Sequence, residues 1–104
     1  MNTQKTEWPY MKIERELSAI ANEFGTGTAD RMFKGTNFIT NNIVARKKLR
    51  GKPVAFELSY GTGMSSDYVY GVTFADKDGM NFHDQNKCCH TFEEVRETLE
   101  NFTA

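Results

Sequence analysis

What this chain has little of narrows it first. Its two cysteines are neighbours, Cys88 and Cys89. Adjacent Cα atoms sit about 3.8 Å apart, short of the roughly 4.4–6.8 Å that a disulfide spans, so a cysteine-stapled scaffold is excluded and reduced thiols are expected. No apolar run approaches the roughly 18 residues needed to cross a bilayer, and the polar start Met1 to Glu7 lacks the apolar stretch of a signal peptide. A cytoplasmic protein that does not enter a membrane is therefore expected. Cofactor fingerprints are missing as well. Gly61-Thr62-Gly63 is glycine-rich, but it leads into a strand pattern and not into a helix N-terminus, so it reads as a turn and no cofactor is expected. The last absence is local: from Arg31 to Lys52 there is no Asp or Glu, although the whole chain carries a formal charge of only −1.

What is present is enough for one core. The chain has 104 residues and includes eight Phe, four Tyr and one Trp, too aromatic for a chain disordered throughout. One domain over 1–104 is expected, with residues 1–7 as a flexible tail. Tyr10, Ile13, Leu17, Ile20 and Phe24 recur at helical spacing between Pro9 and Gly25, which gives a first amphipathic helix. A short helical turn is expected over Thr28 to Lys34. Period-two alternation follows: Val54, Phe56, Leu58 and Tyr60, then Tyr68, Tyr70, Val72 and Phe74, read as two half-buried strands. A strand at about Asn41 to Arg50 must precede them across the short Gly51-Lys52 connection, read as a type II′ hairpin. Asp76-Lys77-Asp78-Gly79 signals a turn into a weaker fourth strand from Met80 to His83, with an extension or a doubling back near Asp84 to Lys87 left open. Thr91 and Glu94 match a capping box, and Phe92, Val95, Leu99 and Phe102 supply the stripe of a last helix. The expected fold class is α+β: a four-stranded antiparallel meander sheet flanked by an N-terminal and a C-terminal helix packed on one face.

The acid-free stretch becomes informative once the hairpin register is written out. With Arg50 opposite Pro53, Leu49, Lys47, Ala45 and Ile43 meet Val54, Phe56, Leu58 and Tyr60 on the core face. Lys47 must snorkel from that face. Arg46, Lys48 and Arg50 then form an outward row, with Arg46 opposite Glu57. Such a row can meet phosphate or carboxylate groups, or it can simply be a solvated edge whose charges deter aggregation. Met64, on the long connection from Gly61 to Asp67, is a further candidate anchor for a partner. Tyr60, Tyr68 and Tyr70 are aromatic enough to stack on bases, but their alternation with Val72 and Phe74 assigns them to the core.

His83, Asp84, Cys88, Cys89 and His90 are metal-ligand or thiol-catalysis types within a short span. Adjacent cysteines point to opposite faces of a strand, and zinc sites favour wider spacings, so neither a metal site nor a catalytic site is assigned. The functional expectation is a small non-enzymatic interaction module, of inhibitor, immunity or phage-accessory character. It would bind an acidic macromolecular partner through its sheet or hairpin loops, using Arg46, Lys48, Arg50, Lys52 and Met64. A nucleic-acid-binding module built on the basic hairpin 46–52 is the alternative, and a metal or thiol enzyme at 83–90 a weaker one. A free edge strand leaves homo-oligomerisation open.

Overall fold

The structure, a computed structural model, describes residues 9–29, 33, 42–61 and 69–102. Helix α1 (Pro9–Phe24) buries Ile13, Leu17, Ile20 and Ala21, the stripe that helical spacing marks. Tyr10, expected on that stripe, is 42% exposed, because it stands one turn before Ile13, the first buried residue of the helix. The chain then enters β1 (Gly25–Thr26), β2 (Asn42–Leu49), β3 (Val54–Gly61), β4 (Val69–Asp76) and β5 (Lys87–Cys89), and ends in helix α2 (Phe92–Asn101). The sheet is antiparallel with strands in sequence order, β1-β2-β3-β4-β5. No helix among the described residues is long and apolar enough to cross a membrane.

The α+β class and the meander agree with the sequence reading, but the strand count is five. The extra strand is β1, two residues that pair Gly25 with Leu49 and Thr26 with Lys48. A tight fit explains its glycine: a Cβ on Gly25 would stand 2.7 Å from Lys47 Cβ and 2.9 Å from the Ala21 carbonyl oxygen. The weaker strand expected over Met80 to His83 is also corrected. In that stretch Asn81 makes a single bridge to Ala75, while the ladder partner of β4 is β5. The Asp76 N–H donates to the Met80 carbonyl at 2.9 Å and the Phe82 N–H to the Phe74 carbonyl at 3.0 Å, and side chains add to this short pairing. Asp76 Oδ1 accepts from the Asp78 and Met80 N–H groups, each at 2.9 Å, and Asn86 Oδ1 accepts from the Phe74 N–H at 2.9 Å. The helical turn expected over Thr28 to Lys34 falls largely outside the described residues; Thr28, Ala29 and Phe33 are not helical.

Both helices cover the face that carries Val54, Phe56, Leu58, Tyr60, Val72 and Phe74. Phe102, just past α2, stacks on Phe74 with centroids 4.1 Å apart, and Phe92 stacks on Tyr70 at 4.9 Å. The α2 cap forms as expected: Thr91 Oγ1 accepts from the Glu94 N–H at 3.0 Å, and Glu94 Oε1 accepts from the Thr91 N–H at 3.3 Å. The second sheet face departs from expectation. Ala55, Glu57 and Ser59 on β3, with Gly71, Thr73 and Ala75 on β4, are all buried, so β3 and most of β4 are sheltered on both faces. Small side chains between large ones copy the apolar-polar alternation of a half-exposed strand, which is why the pattern reads as solvent-facing.

Candidate functional site

The hairpin between β2 and β3 has the register expected of it where it matters. Ala45, Arg46, Lys47 and Lys48 pair with Leu58, Glu57, Phe56 and Ala55. The turn itself is shifted by one residue. The Lys52 N–H donates to the Leu49 carbonyl at 3.1 Å and Gly51 has φ +80°, so glycine occupies the third turn position, as in a type II turn, and not the second. Nearer the start of β2 a bulge intervenes, and Ile43 pairs with Ser59 where Tyr60 was expected. Ile43 is thereby turned out of the core and is 44% exposed.

The five cations of this hairpin have three different fates. Arg46 and Arg50 are committed to the fold. Arg46 Nε donates to Glu57 Oε2 at 2.5 Å, and its guanidinium lies 5.7 Å from the Phe33 ring centroid. Glu57 is 1% exposed, so the expected outward row of Arg46, Lys48 and Arg50 is broken at a partly buried ion pair. The Arg50 guanidinium turns back to the end of α1, donating to the Gly25 carbonyl at 3.0 Å and the Asn22 carbonyl at 3.4 Å, while its backbone N–H meets the Phe24 carbonyl at 2.9 Å. Helix α1 has no basic residue in its own last turn, and Arg50 supplies that cation from the hairpin.

Lys47 snorkels as expected, with Nζ 3.2 Å from the Gly27 carbonyl oxygen. A carbonyl positions an ammonium but does not neutralise it. Lys48 and Lys52 are exposed. No carboxylate among the described residues pairs with Lys47, Lys48 or Lys52. Beside them, α1 and β2 enclose a groove of about 320 Å³ with Ser18, Asn22 and Thr28 on its walls. Sequence reasoning missed this groove, since its polar groups come from three separate segments. Met64, the other expected contact, lies outside the described residues, as does Tyr68.

Acidic groups occur on both helices: Glu14 and Glu23 are exposed on α1, which packs against β2. Glu93, Glu94, Glu97 and Glu100 are exposed on α2, which packs against β4 and β5. Sheet order places the hairpin lysines toward the β1 and β2 edge and the α2 glutamates over β4 and β5. Across the helices, Arg96 grips Glu23 bidentately with both contacts at 2.7 Å.

The cluster from His83 to His90 is dispersed. His83, His90 and Cys88 are exposed, whereas Cys89 is buried with Sγ 3.6 Å from Thr98 Oγ1. No three His, Cys, Asp or Glu residues among those described converge to hold a metal ion. Burial pushes both thiols up from their ordinary range, so neither is poised as a thiolate nucleophile. A cleft of about 420 Å³ between β5 and α2 includes Lys87, Cys88, Glu94 and Glu97, but Glu94 is engaged by the helix cap. On the second sheet face, Ser59 Oγ and Thr73 Oγ1 are fully buried without a hydrogen-bond partner among the described residues. Comparison of the chain with protein-family models, with curated proteins and with solved structures found no match, so the functional reading rests on this geometry.

Proposed function

We propose that the chain is a small non-enzymatic interaction module that binds an acidic protein through the basic edge formed by the β2–β3 hairpin. One observation carries this reading. Lys47, Lys48 and Lys52 stand close together in sequence at one hairpin and have no carboxylate partner among the described residues, in a molecule whose exposed acids on α2 lie across the sheet. That lysine cluster would attract an acidic surface to the hairpin end. The commitment of Arg46 and Arg50 to internal partners weighs against a nucleic-acid module, since those were the two side chains suited to grip phosphate bidentately.

Affinity capture from lysate with and without nuclease, using the wild-type chain and Lys48→Glu with Lys52→Glu, tests the reading. A nuclease-resistant protein retained by the wild type and lost on charge reversal is the expected result. Retained material that disappears entirely with nuclease would transfer the hairpin to nucleic acid. Protein retention that survives the charge reversal would show that the hairpin is not the contact.

A further inference from the structure

We propose that the groove between α1 and β2 seats a side-chain carboxylate of the acidic partner, with the Lys47 ammonium as its counter-ion; this rests on reading the hairpin edge as a contact for an acidic protein. Lys47 is opposite Phe56, on the face the helices cover, where a sheet ordinarily places an apolar side chain. Its stem is held in place. A Cβ on Gly25 would fall 2.7 Å from Lys47 Cβ and 3.0 Å from Lys47 Cδ, so glycine at 25 leaves the room in which that stem lies. The ammonium emerges past β1 with one contact to the Gly27 carbonyl oxygen at 3.2 Å. An ammonium has three donors, and the remaining two have no partner among the described residues.

The walls supply the rest of a carboxylate site. Ser18 and Asn22 are four residues apart on α1 and share one helix face, and Thr28 closes the groove from the segment after β1. A hydroxyl, an amide and a second hydroxyl can donate to the lone pairs that Lys47 leaves open on a carboxylate. Glu14, one further turn along α1, accepts from the Tyr60 hydroxyl at 2.8 Å, and no ion pair joins it to Lys47 among the described residues. The groove volume of about 320 Å³ admits the end of a side chain and not an element of folded structure. The apolar lysine stem gains from burial on the core side of the strand, and an ammonium fixed at the mouth of the groove is pre-organised to bind an anion.

Fluorescence anisotropy with a labelled hexaglutamate peptide tests this, with hexaglutamine and single-stranded hexathymidylate as comparison probes at one ionic strength. The wild type is expected to bind hexaglutamate more tightly than either. Lys47→Met keeps the stem and removes the charge, and should weaken hexaglutamate binding by about tenfold or more, the worth of one charge-assisted hydrogen bond. Asn22→Ala, at an exposed helical position that alanine favours, should weaken it by roughly threefold with folding intact. Unchanged binding by both variants, with loss in Lys48→Met plus Lys52→Met, would overturn the groove and leave the hairpin reading standing. Equal wild-type binding of hexaglutamate and hexaglutamine would end both. Tighter binding of hexathymidylate than of hexaglutamate would overturn the groove in favour of nucleic acid.

Discussion

Thr73→Val should make the protein more stable. Thr73 is 0% exposed on the second sheet face, directly opposite buried Glu57, and its hydroxyl has no hydrogen-bond partner among the described residues. An unsatisfied buried hydroxyl costs about 1–3 kcal/mol relative to hydration. Valine has nearly the same shape, keeps the β-branch that suits a strand, and replaces the hydroxyl by a methyl that gains from burial. The expected gain is about 1–2 kcal/mol, which for a chain of this size raises Tm by about 5–10 °C. Urea denaturation should show a higher midpoint with unchanged m, because the surface exposed on unfolding hardly changes. Thr73→Ala removes the methyl as well and should fall about 1–2 kcal/mol below the valine variant. A valine variant less stable than wild type by more than about 0.5 kcal/mol would refute the reasoning, since the hydroxyl would then be making a bond worth more than its desolvation.

Three other outcomes follow from particular contacts. Gly25→Ala should cost about 1–3 kcal/mol in urea denaturation, because its Cβ would meet Lys47 and the Ala21 carbonyl at 2.7 and 2.9 Å and backbone must shift to accept it. Thr91→Ala should lower stability by about 1 kcal/mol through loss of the α2 cap, and Thr91→Ser should restore most of it. In alkylation followed by mass spectrometry, Cys88 should react in the native protein and Cys89 only on unfolding. With the Cys88 thiol pushed up by burial, its thiolate fraction lags that of a free cysteine at a given pH, so its rate should keep rising with pH past the ordinary thiol midpoint; a plateau at or below that midpoint would contradict this.

Much of the fold is legible in local pattern. Ile13, Leu17 and Ile20 announce α1, Thr91 and Glu94 announce the start of α2, and Val54 to Tyr60 announce a strand, because each signal is a repeat or a cap contained within one element. The register from Ala45 to Lys48 is legible too, since a short hairpin leaves little freedom. What fails depends on distant segments. The two residues of β1 carry no periodicity, and pairing with Leu49 and Lys48 defines them as a strand. The bulge that expels Ile43 and the bond from the Phe74 N–H to Asn86 Oδ1 likewise have no short-range signature.

The same division holds for the candidate site. Sequence by itself determined that the cations cluster, that Arg46 faces Glu57, and that Lys47 must reach out from the core side, because charge order and strand alternation are properties of the chain. Tertiary structure decided which charges are available. It brought the end of α1 to the hairpin and so spent Arg50 on helix carbonyls, and it sheltered Glu57 so that Arg46 became structural. It also brought Ser18, Asn22, Thr28 and Lys47 to line one groove. A charge is freed or bound by groups that fold next to it from elsewhere in the chain, and composition cannot record that.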